Sequence, residues 1–156
     1  QKIVSLQNAT QLAAFVPVIL AMGGNTGMQA SAVTIRSIAL GEINFKSLFT
    51  IFLRELLVGA MMGIVCACLI SAGVWVNLVY FSDHEVSISI IRLILVVSGS
   101  MFVAMSFAAL SGTIMPIMLN RLEIDPAVAS GPFVTTGNDL SASLIYLGMC
   151  TLLLSI

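Results

Sequence analysis

Charge is what this chain lacks. Among its 156 residues there are six Lys or Arg, seven Asp or Glu and a single His, so that only 8% are charged. A water-soluble domain carries about 25% charged residues, and a solvated globular fold is excluded on that ground. The formal net charge of -1 says little about partners, and no nucleic-acid partner is expected. Cysteine is scarce, and Cys66, Cys68 and Cys150 have no second ligand cluster nearby. That excludes a zinc or copper centre built on thiolate and imidazole. No Ser/Lys pair, Asp pair or His-rich metal motif is present for an intramembrane hydrolase, so the chain is not read as an enzyme.

What is there is oil. Hydrophobic residues make up 59% and the mean hydropathy is +1.11. No Lys, Arg, Asp or Glu interrupts residues 3–35, 56–82, 93–120 or 140–156. A helix needs about 20 residues to cross a bilayer, and only helices and closed barrels satisfy their backbone in lipid. Runs rich in Ala, Leu and Met without strict alternation read as helices. The expected fold is all-α: a polytopic transmembrane helix bundle with four spans, roughly 11–40, 48–76, 87–119 and 132–156. Residues 1–156 form one transmembrane domain. The cysteines fall inside these spans, where a thiol serves as a small apolar packer. Only Lys2 precedes the first apolar run and no small-residue cleavage site follows, so the start is not a signal peptide. A first residue Gln1 in place of Met reads as a piece of a longer chain.

Orientation follows Lys and Arg near the helix ends. Arg36, Lys46 and Arg54 flank the first loop and Arg121 the third, which places both loops in the cytoplasm of a cell-membrane protein. The middle loop and the C-terminus are then expected outside. Trp75, Tyr80 and Phe81 fit an outer aromatic belt. His84, between Asp83 and Glu85, reads as part of an exposed polar turn, with an outer metal-capture site as the alternative. Arg54 and Glu55 read as interfacial anchors, with a cytoplasmic vestibule lined by Glu55 as the alternative.

Two segments break good helix grammar at membrane depth. The first is Pro17 followed by Gly23-Gly24-Asn25-Thr26-Gly27-Met28-Gln29. The second is Gly131-Pro132 followed by Thr135-Thr136-Gly137-Asn138-Asp139. Gly costs a helix about 1 kcal/mol relative to Ala and Pro about 3. Interrupted helices at this depth line wet cavities and present carbonyls to ions. Close helix packing is the simpler reading for Gly59 and Gly63, four apart in the second span. In the GGNTGMQ stretch packing explains the glycines and leaves Asn25 and Gln29 unexplained. Frequent hydroxyls in the third span, among them Ser98, Ser100, Ser106, Ser111 and Thr113, fit either a pore lining or bonds to their own backbone.

Asp139 is the sharpest signal. No charge follows it, and an acid at a helix centre in a bilayer costs about 2.5–3.5 kcal/mol, so it faces a pathway or a partner. Oxygen donors dominate around it, which suits a hard cation. Magnesium gives up its waters reluctantly, so one or two carboxylates around a hydrated ion suit it better than a closed protein cage. One Asp per chain is thin for a divalent ion. Two chains on a two-fold axis, the commonest closed assembly, let two Asp139 carboxylates share one site.

The stretches PVILAMGGNTGMQASAVTIRSIALGEI and DPAVASGPFVTTGNDLSASLIYLGM resemble the MgtE family of magnesium channels and transporters, as does the pattern running from Arg54 to Gly63. The resemblance covers nearly the whole chain. It implies a homodimer with a central pathway in which the acid matching Asp139 holds a hydrated magnesium ion. Gly131, Pro132 and Thr135 match positions around that acid, and Asn25 and Gln29 match polar residues shaping the passage. The family has five membrane helices against four counted here, and its first helix and cytoplasmic CBS domains have no counterpart in this stretch. Ala142 stands where the family commonly has Gly. Cobalt and manganese stay open as permeants. Cation-coupled exchange through the same Asp and a non-transporting membrane scaffold stand as alternatives to a magnesium channel.

Overall fold

The computed structural model describes residues 12–43, 48–80 and 90–154. Four helices carry them: α1 (Val16–Ala39), α2 (Leu48–Tyr80), α3 (Ile90–Arg121) and α4 (Pro126–Leu154). No strand occurs among the described residues, so the expected all-α class holds. The shortest, α1, has 24 residues, about 36 Å at 1.5 Å per residue, against a hydrocarbon core of about 30 Å. Two stretches, Leu48–Val76 in α2 and Ile91–Arg121 in α3, have mean hydropathies of 2.3 and 2.2 and are long and apolar enough to cross a membrane. α1 and α4 hold the chain's polar and glycine-rich segments.

The helix ends follow from local chemistry. α1 stops where Gly41 adopts φ 68°; Gly41 N–H donates to the Ile38 carbonyl and Glu42 N–H to that of Ser37, each at 3.0 Å. This is a Schellman closure, with glycine at the left-handed position that suits it. α3 ends in the same way, with Glu123 N–H on Asn120 and Ile124 N–H on Leu119 at 3.2 and 3.0 Å. Here the left-handed residue is Glu123, at φ 58°. The next helix starts at once. Asp125 Oδ1 accepts the Ala127 N–H at 2.8 Å and Pro126 supplies the first turn, where its missing N–H costs nothing. α4 therefore begins six residues before the sequence boundary at Pro132.

Gly, Ala and Ser set how the helices approach. α2 lies on α3 through Gly59 and Gly63: a Cβ on Gly59 would stand 2.6 Å from Ala109 Cβ, and one on Gly63 3.1 Å from Phe102 Cα. The packing expected of this pair is what the structure shows. Those contacts make α2 and α3 antiparallel. α1 lies antiparallel to α4, with Gly23 facing Ala142 and Gly27 facing Asn138. α3 is the central helix, packed by α1, α2 and α4. Met101, Met105, Val96 and Val97 on it are fully buried, whereas α2 is mostly exposed. The core is completed by Ile19 and Tyr146, whose hydroxyl donates to the Leu12 carbonyl at 2.7 Å.

One expectation is overturned. The two glycine-rich segments do not interrupt their helices: α1 runs unbroken through Gly23–Gln29 and α4 through Gly131–Asp139. The physical reason is that the glycines of α1 are buried against neighbours, so packing offsets their low helix propensity. Pro132 removes one N–H from α4, and the Thr135 hydroxyl donates to the nearby Gly131 carbonyl at 2.9 Å. The α3 hydroxyls bond mainly to their own helix. Ser98, Ser100, Ser106 and Thr113 donate to the carbonyl four residues back, at 2.6–2.9 Å. Trp75 and Tyr80 are exposed near the end of α2; Lys2, Lys46, Phe81, Asp83, His84 and Glu85 lie outside the described residues.

Candidate metal-ion site

α4 arranges the acid and its neighbours on one stripe. Gly131, Thr135 and Asp139 follow at four-residue steps and Pro132 lies beside the first, which places all four within about 100° of helix surface. Pro132 and Thr135 are exposed, Gly131 and Asp139 half-buried. Nothing lies within 4 Å of where a Cβ on Gly131 would stand. This stripe is not spent on the chain's own core. Val134 and Asn138, on the adjoining surface of α4, are buried instead, and Ala142, in line with the stripe but nearly a turn beyond Asp139, is buried too.

Asp139 stands where the stripe meets α1. Its Oδ1 is 3.4 Å from the position of a Cβ on Gly24, so the carboxylate lies at van der Waals distance from that point of α1. No hydrogen bond or ion pair engages that carboxylate among the described residues. No group of three His, Cys, Asp or Glu gathers anywhere among them either, so the donor set has one charged oxygen group per chain. It fits an ion that keeps its water shell and does not fit a stripped ion needing a full cage.

The residue before the acid is its support. Asn138 is 1% exposed, and the Ser111 hydroxyl of α3 reaches its Oδ1. Its Nδ2 has no partner and fills the space over Gly27, where a Cβ would come within 1.7 Å. Turning the amide over lets Nδ2 donate to Ser111 Oγ while that hydroxyl donates to the Ala108 carbonyl, 3.0 Å away. This relieves a buried unsatisfied donor, which costs about 1–3 kcal/mol. At the same level a Cβ on Gly112 would stand 2.2 Å from the Gly27 carbonyl oxygen. Three helices thus close on one point, Gly27, Gly112 and Asn138, one residue from the acid. Lower down, Ser31 Oγ and Ser130 Oγ join α1 to α4 at 3.3 Å.

The other two expected site residues share no hydrogen bond with the acid among the described residues. Asn25 and Gln29 are exposed and make no hydrogen bond among the described residues. Asn25 follows Gly24 and projects about 100° further round α1; Gln29 lies about 140° from Gly24. Gln29 instead lines a cavity between α1 and α2, together with Thr26, Arg54 and Glu55. The structure does not bring Gln29 to Asp139.

Residues 16–149 match the MgtE family, described as divalent cation transporter. The chain belongs to the MgtE family. It is 37% identical over 147 residues to the magnesium transporter MgtE of Bacillus subtilis, covering 94% of this chain and 30% of that protein. The magnesium transporter MgtE of Thermus thermophilus is 37% identical over 149 residues, 96% of this chain and 31% of the relative. That of Enterococcus faecalis is 32% identical over 149 residues, 94% and 30%. The chain therefore spans about a third of the length of these MgtE proteins. MgtE membership makes this a membrane protein and not an enzyme, in keeping with the apolar lengths of α2 and α3. The MgtE match includes the α1 glycines, the α4 stripe and Asp139. The buried amide Asn138 and its partner Ser111 were missed by sequence reasoning. The available signal was an Asn beside the only acid of an apolar helix, where an amide needs a partner of its own.

Proposed function

We propose that this chain is the membrane part of a divalent cation transporter whose substrate is magnesium, and that two copies meet on a two-fold axis with their α4 stripes facing. All four helices cross the cell membrane, with the α1–α2 and α3–α4 loops in the cytoplasm and the C-terminus outside. The positions of Arg36, Lys46, Arg54 and Arg121 support that orientation.

A hydrated magnesium ion passes along the paired stripes. Two Asp139 carboxylates give the shared site a charge of about -2, which a divalent ion neutralises. Without an ion the two charges repel, and with one they are bridged through its water. Thr135, the carbonyl that Pro132 frees one turn earlier, and Asn25 offer oxygens to the same water shell, and Gly131, without a side chain, leaves room for that shell beside the helix. Gln29 serves the neighbouring cavity. Asn138, locked between Gly27 and Ser111, fixes the turn of helix that carries the acid.

The observation that carries this reading is a half-buried, unpaired carboxylate on an outward-facing polar stripe of an otherwise apolar helix. Magnesium uptake into liposomes by the full-length protein and by Asp139→Asn tests it. Substitution by the uncharged isostere leaves the shared site neutral, and uptake is expected to fall at least ten-fold with dimer content unchanged. Uptake equal to the unsubstituted protein would overturn it.

A further inference from the structure

The gap between α1 and α2 holds a second buried acid that the α4 stripe does not use. Both helices pack on α3 and scarcely on each other. Between them is a cavity of about 270 Å³ with Thr26, Gln29, Arg54 and Glu55 in its lining and Ala109 of α3 at its base. Glu55 is only 9% exposed, and no hydrogen bond or ion pair engages its carboxylate among the described residues. Such a carboxylate in an apolar bundle needs a counter-charge or a polar ligand. Arg54, the adjacent residue, is the one cation among the described residues lining the cavity, and Thr26 and Gln29 add acceptor oxygens. The Thr26 hydroxyl spends its proton on the Met22 carbonyl at 2.9 Å, leaving its oxygen lone pairs for a ligand, and the Gln29 amide is unengaged. Arg54 is exposed at the rim.

We infer that Glu55, Gln29 and Thr26 form a second site for a hydrated divalent cation, separate from Asp139. The two sites are on different faces of α1, since Gln29 lies about 140° round and about 7.5 Å along the helix from Gly24. Size supports the ligand. Six waters at about 30 Å³ each occupy roughly 180 Å³, less than the about 270 Å³ of the cavity. One carboxylate and acceptor oxygens suit an ion that keeps its water. Glu55 lies two turns into α2, near the end of the bundle where α1 and α3 terminate, so the site is a waiting point at that mouth. Arg54 limits how tightly the ion is held, and a weakly held ion moves on. The inference deepens the transport reading and rests on it for the identity of the ion.

Mn²⁺ titration of the full-length protein in lipid nanodiscs, with free ion followed by electron paramagnetic resonance, tests the site. Glu55→Gln is expected to lose one bound Mn²⁺ per chain, and Asp139→Asn to keep it. Arg54→Gln is expected to bind at this site at least three-fold more tightly, a gain that misfolding cannot produce. Unchanged stoichiometry in Glu55→Gln, or unchanged affinity in Arg54→Gln, overturns the site. A double variant that loses no more ions than Asp139→Asn overturns its separateness. Failure of the Asp139 reading shows elsewhere, as unaltered magnesium uptake by Asp139→Asn, and leaves the Glu55 count as it was.

Discussion

The carbonyl of Gly27 sets how closely α1 approaches α3, and so where Asp139 sits. A methyl added at Gly112 would be 2.2 Å from that oxygen, and a backbone atom cannot swing aside. Gly112→Ala is expected to lower stability by about 3 kcal/mol, the upper part of the range for overpacking. Gly73 meets nothing within 4 Å, so Gly73→Ala is expected to be neutral or slightly stabilising, as helix propensity dictates. Unfolding by SDS titration in mixed micelles compares the two, and equal effects would contradict the junction. At this scale the sequence showed which residues are odd and not what each one faces. Asp139 stood out because a charge in lipid is costly. The family resemblance joins Gln29 to the same passage, and only the helical phase, about 140° from Gly24, separates them. The glycines of α1 read as a break because their neighbours, Ala142, Asn138 and Ala108, are remote in sequence.

At the scale of the element, two helices end at the same side of the bundle with the same hydrogen-bond pattern and different residues at the turn. Gly41 takes its positive φ without a Cβ to clash, and Glu123 takes φ 58° with one. A left-handed residue other than Gly costs roughly 1–2 kcal/mol. Glu123→Gly is therefore expected to stabilise the protein by about 1 kcal/mol, and Gly41→Ala to destabilise it by about the same amount. The same SDS titration reads both, and a stabilising Gly41→Ala would contradict the closure. Helix existence was plain from the uncharged runs, because lipid imposes helix on any long apolar segment. The start of α4 was not: Pro132 looked like a boundary, while Asp125 and Pro126 form the actual cap.

At the scale of the whole molecule, α3 serves as a post on which the other three helices lean, and two polar features open on different sides of α1. The seam between α1 and α4 carries Asp139; the gap between α1 and α2 carries Glu55. A two-fold dimer through α4 predicts that Thr135→Cys forms a disulfide between copies under mild oxidation in a background without the native cysteines, while Gly73→Cys on α2 does not. Cross-linking at Gly73 alone would place the interface on α2. The central claim is a hydrated divalent ion between two Asp139 carboxylates. It is tested most directly by diffraction from crystals grown with Mn²⁺ and measured at its absorption edge. An anomalous peak on the two-fold axis, about 4 Å from both carboxylates as one coordination bond plus one hydrogen bond requires, is the predicted result. A dimer with no peak near Asp139, and manganese bound elsewhere in the membrane region, would contradict it.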